Sequence, residues 1–189
     1  MRHIAVTVGP QGSGKSMFCE KAIKAYPEIV LVSRDEILRE LFGDTYLNPY
    51  TGQQLAGMAK MWGVLAKHLE HEKIRIILDC WNGYAEERRT ITEWLRSHGA
   101  DRIEAWYFVT PAEICVQWCF EKKLREKRLR EHTVKNGKWA KLMEESMRSS
   151  CQYDYELYHS QPLELNQGFD FIQRIDPSKP FPMFSLFSK

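Results

Sequence analysis

The chain has 189 residues and a formal charge of +2, with 27 Lys and Arg against 25 Asp and Glu. That length suits one domain, or one domain with a small lid, and the slight positive surplus permits a polyanionic ligand without requiring one. The five cysteines, Cys19, Cys80, Cys115, Cys119 and Cys151, form no CxxC pair, and no apolar run nears the roughly 20 residues of a membrane span. We therefore expect reduced thiols, no disulfide framework, no zinc site, no membrane, and a soluble, cytoplasmic protein.

In chain order, the apolar, branched run from His3 to Val8 predicts a strand buried on both faces, breaking into glycines. A helix from Lys15 to Ala25, a strand from Ile29 to Val32 and a helix from Arg34 to Phe42 follow, the last stopped by Gly43. A polar, aromatic loop then leads into an amphipathic helix marked by Leu55, Ala59, Trp62, Ala66 and Leu69. Lys73 to Asp79 predicts a third strand, Tyr84 to His98 a helix and Ile103 to Val109 a fourth strand. Pro111 opens a helix that runs into the charged segment EKKLREKRLREH, broken at Asn136 and Gly137. A helix over Lys138 to Ser149 and a last strand over Phe169 to Ile175 complete the pattern. This alternation predicts an α/β, three-layer fold with a parallel sheet covered by helices on both faces: a domain over 1–175, a helical lid near 121–138, and a tail over 176–189.

Gly9-Pro10-Gln11-Gly12-Ser13-Gly14-Lys15-Ser16 matches GxxxxGK(S/T), placed where a buried strand ends and a helix begins. Glycines let the backbone curl until its N–H groups surround phosphate oxygens, and the helix adds its positive end. Lys15 supplies an ammonium for the β and γ phosphates and Ser16 a hydroxyl for Mg²⁺, which implies a nucleoside triphosphate and a P-loop NTPase fold.

The second strand ends in Ser33-Arg34-Asp35, beside that loop in a doubly wound sheet. A carboxylate there can accept the proton of an attacking hydroxyl, so Asp35 is the candidate base, with a plain helix cap as the alternative. Asp79, closing IRIILD, is the candidate acid near Mg²⁺. Arg34, Arg39, Asp79 and Asn82, with Asp35, are the candidate acceptor-binding residues; Arg88 and Arg89 are weaker ones. Within the lid, Arg125 and Arg128 are the candidates for neutralising charge on a transferring phosphoryl group, against the alternative of a solvated helix laced with ion pairs.

These residues resemble the phage-type 5′-hydroxyl polynucleotide kinase family: a strand, GxxGSGKS, then a second strand ending in Asn/Ser-Arg-Asp in nearly the same register. The likeness covers about residues 1–155, recurring at LDCWN with the following ERR and more faintly at LMEESMRSS. It implies a kinase without an appended phosphatase half, using ATP and Mg²⁺ on a nucleic-acid substrate, DNA or RNA. Asp35 would be the base that activates a 5′-hydroxyl, with Lys15 and Ser16 in their family roles. Two departures stand out: Leu38 replaces the arginine one turn after the aspartate, with Arg39 next to it, and the lid is longer.

The same motifs fit a kinase of a hydroxymethyl-pyrimidine in DNA or of a nucleoside or small alcohol. Tyr46, Tyr50 and Trp81 offer faces on which a base can stack, or else belong to the core. A regulatory P-loop ATPase is the rival from another class. The sequence leaves the oligomeric state open.

Overall fold

The computed structural model describes residues 1–43, 45, 52–125 and 137–179. Its elements are β1 (Arg2–Val8), α1 (Lys15–Ala25), β2 (Ile29–Ser33), α2 (Arg34–Phe42), α3 (Gln53–Leu69), β3 (Ile74–Asp79), α4 (Ala85–Ser97), β4 (Arg102–Phe108), α5 (Ala112–Arg125), α6 (Gly137–Ser160), a short 3-10 turn at Leu165–Gln167, and β5 (Phe171–Ile175).

The five strands form one sheet in the order β2-β3-β1-β4-β5, and every neighbouring pair is parallel. Parallel strands must be joined by crossovers, and the crossovers place helices on both faces, so the strands are apolar on both sides. The period of two is visible in the packing. Ile4, Val6, Ile76, Leu78, Ile103 and Ala105 turn toward Met61 and Leu65 of α3 and Ile91 and Leu95 of α4. The intervening Ala5, Ile77 and Trp106 turn the other way, toward Phe18, Cys19 and Ala22 of α1. Phe18 fixes that second layer by meeting Trp106 and Phe108 edge-on, with centroids 5.7 and 5.5 Å apart.

This is the expected α/β architecture, with β1 central and the glycine loop at its carboxyl end, where the open sheets of this class bind ligands. Two expectations need correction. The helix predicted to end at Ser149 continues to Ser160. Cys119 of α5 and Cys151 of α6 form a disulfide, whereas Cys19, Cys80 and Cys115 are free and buried. The two bonded residues are 32 positions apart, and only the antiparallel return of α6 along α5 brings them together. Among the described residues no helix is long and apolar enough to cross a membrane.

Candidate active site

The phosphate loop leaves β1 at Gly9 and turns into α1 at Lys15, with the Ser13 N–H donating to the Pro10 carbonyl at 3.2 Å. Gly12 and Gly14 hold φ of +80° and +87°, a region that side chains with a Cβ rarely enter. Space excludes a side chain as well. A Cβ at Gly12 would lie 2.1 Å from the Cys115 carbonyl oxygen of α5, and one at Gly14 would strike Pro177 at 2.9 Å. Ser13 is fully buried, its carbonyl accepting from the Thr110 hydroxyl at 2.8 Å. The loop is thus clamped between the end of β4 and α5.

Lys15 bends back over this loop, its Nζ donating to the carbonyls of Gly9 at 2.6 Å and Pro10 at 2.8 Å. Burial pushes its pKa below the usual lysine value, and the negative charges of Asp79 and Asp154 oppose that shift. Ser16 is exposed beside it. Both line a cavity of about 540 Å³ together with Arg34, Asp35 and Asp79. The loop residues Gln11 to Ser16 thereby share one open space with the carboxylates of Asp35 and Asp79 and the guanidinium of Arg34.

Asp35 reaches the cavity because it is not the cap of its own helix. Ser33 is the N-cap of α2, its hydroxyl accepting from the Glu36 N–H at 3.4 Å, and Asp35 is left to pair with Arg34 (Nη2 to Oδ1, 3.1 Å). Asp79 closes β3 and accepts from the Thr7 hydroxyl of neighbouring β1 at 2.6 Å. Cys80 follows it in the wall. Burial, reinforced by Asp79, raises its thiol to about 12, so it stays protonated at neutral pH and is no nucleophile.

Other predicted residues lie elsewhere. Asn82 is fully buried and turned inward, donating to the Thr7 carbonyl at 2.7 Å, and it is not among the residues lining the cavity. Arg39 is exposed on α2, outside that lining. Leu38 is completely buried against Gly57 of α3, where a Cβ would fall 2.2 Å from its Cδ2. The face one turn after Asp35 is therefore core in this chain, which accounts for the apolar residue there. Arg88 is buried too. Its guanidinium donates to the carbonyls of Asn82 and Gly83 (both 3.0 Å), Gln161 (2.7 Å) and Pro162 (3.2 Å) and to the Gln167 side chain (2.7 Å). It braces the loop after β3, and Arg89 next to it is exposed. The side chain of Arg125, at the end of α5, and all of Arg128, Tyr46 and Tyr50 lie outside the described residues.

The remaining wall includes Glu121 and Lys122 of α5, the start of the charged segment expected as a lid, and three residues that no motif announced: Trp118 of α5 and Asp154 and Tyr158 of α6. The Asp154 carboxylate accepts the Gln11 backbone N–H directly and the Trp81 indole N–H at 3.4 Å. An acid standing within hydrogen-bond reach of the phosphate loop carries no spacing signature that a sequence could display.

For a hard divalent cation the residues present fit. Mg²⁺ keeps several waters and takes only one or two protein oxygens besides substrate phosphates. The exposed Ser16 hydroxyl and Asp79 in one cavity meet that need, and among the described residues no cluster of three or more His, Cys, Asp or Glu offers a closed metal cage.

A family profile, AAA_33, an AAA domain, matches residues 4–143. No curated protein matches the chain. Among solved structures the fold is similar to that of a Pnkp1/Rnl/Hen1 complex, with a TM-score of 0.55 and 23% identity over 62% of this chain and 39% of that one. It is also similar to a fungal RNA kinase, with a TM-score of 0.52 and 17% identity over 94% and 76% of the two chains. A third likeness is to the PezAT chromosomal toxin-antitoxin system of Streptococcus pneumoniae, at 0.63 and 12% over 95% and 70%. At these identities the likeness is one of fold, the P-loop kinase-like α/β fold. The chain spans less than half the length of the chains it matches in two Pnkp1/Rnl/Hen1 complexes, 39% in one and 45% in the other.

Proposed function

The chain belongs to the AAA_33 family, and from that membership and its cavity we propose an ATP-dependent kinase that transfers the γ-phosphate to a hydroxyl of a nucleic acid, the 5′-OH end of DNA or RNA. The observation that carries this reading is the shared cavity of the phosphate loop and Asp35. A hydrolase needs only water at the γ-phosphate, whereas a carboxylate at the end of β2, one strand removed from the loop but lining the same cavity, suits an alcohol acceptor. A fungal RNA kinase and an RNA repair complex among the structures of similar fold favour the nucleic acid as the acceptor.

In this reading the loop N–H groups and the positive end of α1 hold the phosphates, and Lys15 exchanges its Gly9 and Pro10 carbonyls for phosphate oxygens. Ser16 and Asp79 would hold Mg²⁺, which, when bound, neutralises charge on the phosphates. Asp35 takes the hydroxyl proton as the oxygen attacks in line, and Arg34, paired with its Oδ1 at 3.1 Å, holds the carboxylate in place. The lid arginines Arg125 and Arg128 remain candidates for the transition-state charge.

The test is transfer of labelled γ-phosphate to paired oligonucleotides bearing a 5′-hydroxyl or a 5′-phosphate, beside a hydroxymethyl-pyrimidine DNA and free nucleosides. We expect label on the 5′-hydroxyl strand alone. Label confined to modified DNA or nucleosides would move the acceptor, and hydrolysis without transfer would leave an ATPase. Asp35→Asn should lower kcat by roughly 10²- to 10⁴-fold with ATP binding retained; turnover like that of the unaltered protein would remove Asp35 as the base.

A further inference from the structure

The loop after β3 holds one large side chain outward between two inward ones. Cys80 and Asn82 are buried, while Trp81 between them is 39% exposed and lines the cavity mouth. Its orientation is fixed from several directions. The ring lies so close to Gly83 that a Cβ there would come within 2.8 Å of it, and Tyr84 meets it edge-on with centroids 5.5 Å apart. Asp154 accepts its indole N–H, and Arg88 clamps the Asn82 and Gly83 carbonyls beneath it. Tyr84 and the neighbouring Tyr153, 42% and 64% exposed, extend the aromatic surface away from the cavity.

A tryptophan serving only as core would be buried, and one serving only as surface would be left to rotate. Trp81 is held rigid and left open, which is the condition under which a flat ligand can stack with little ordering cost. Its side of the site is also defined. β3 lies between β2 and β1, so the loop after β3 opens on the same flank of the phosphate loop as Asp35 at the end of β2.

We propose that Trp81 is the stacking platform for the nucleobase adjoining the acceptor hydroxyl, so that the acceptor is one carrying a planar heterocycle next to that hydroxyl. This rests on the kinase reading above and specifies its substrate class. Tyr84 and Tyr153 continue the surface toward the following nucleotide of a single strand.

The experiment is a binding cycle. A 3′-labelled single-stranded oligonucleotide with a 5′-hydroxyl, and the same strand with an abasic 5′-terminal residue, are titrated by anisotropy into the unaltered protein, Trp81→Ala and Trp81→Phe. We expect Trp81→Ala to weaken binding of the intact strand about tenfold, the scale of one lost base stack. Trp81→Phe should stay within about threefold because it keeps a ring, which separates stacking from the Asp154 contact. The abasic strand should bind the unaltered protein about tenfold more weakly and show no further loss with Trp81→Ala. ATP affinity, measured alongside, should not change. Equal sensitivity of intact and abasic strands, no effect of Trp81→Ala, or a parallel loss of ATP binding would each overturn the platform. So would a failure of the unaltered protein to bind either strand. Label transfer to the 5′-hydroxyl strand with no Trp81 effect overturns the platform alone, whereas intact-strand stacking without any transfer overturns the kinase reading alone.

Discussion

Around the cavity, the sheet wall and the helical wall are held by different means. On the sheet wall each candidate side chain is placed by a strand end or cap within a few residues of it: Lys15 by the loop-to-α1 turn, Asp35 by the Ser33 cap, and Asp79 by its bond from Thr7 on the next strand. On the other wall, Trp118 and Asp154 come from two long helices whose relation is set at a distance. The Cys119–Cys151 disulfide joins them with Cα atoms 6.5 Å apart, and the Arg148 guanidinium lies 4.1 Å over the Phe120 ring. Damage to the first wall should remove chemistry and leave the fold. Damage to the second should loosen the arm and change what the loop binds.

The sharpest test on the sheet wall is Lys15→Ala. Its ammonium is the cation placed within the phosphate loop, so kcat should fall on the order of 10³-fold while the urea midpoint hardly moves. An unfolded variant, or one with near-normal turnover, would break the division of labour between the walls. On the helical wall, reduction with dithiothreitol should lower the free energy of unfolding by about 4 kcal/mol, since the bond closes a loop of some thirty residues. The denatured, unreduced protein should titrate three free thiols, Cys19, Cys80 and Cys115. Five titratable thiols and no response to reductant would mean that the arm is held by packing alone.

That same division decided what the sequence revealed. The strands declare themselves because a buried parallel strand is an unbroken apolar run, and IRIILD could be little else. The glycine loop is legible because its turn constrains adjacent residues, and Asp35, which shares its cavity, because a strand end places it there. The arm offered no such signal. CQYDYELYHS lacks a continuous apolar stripe, so α6 was expected to stop eleven residues early, and a cysteine pair 32 positions apart follows no local spacing. Asn82 misled for a related reason: its neighbour Trp81 faces the cavity, and which of two adjacent side chains turns outward is settled by Thr7 and Arg88, not by the sequence of the loop.

Asp154 is where the two walls meet, and it yields the subtlest prediction. Its carboxylate takes the Gln11 N–H, one of the donors that the loop presents toward its ligand, and its charge acts on Lys15. In the kinase proposed above, a triphosphate needs the same donor and brings like charge, so the acid must yield when ATP enters. Asp154→Asn keeps the shape and removes the charge. It should tighten ATP binding about tenfold, roughly 1.4 kcal/mol, as measured by titration calorimetry. In a Cys119→Ala/Cys151→Ala background the gain should shrink, because an arm no longer pinned by the disulfide already lets the carboxylate leave the loop. Weaker ATP binding in Asp154→Asn would reverse the picture and make the helical wall a partner in holding the nucleotide instead of its competitor.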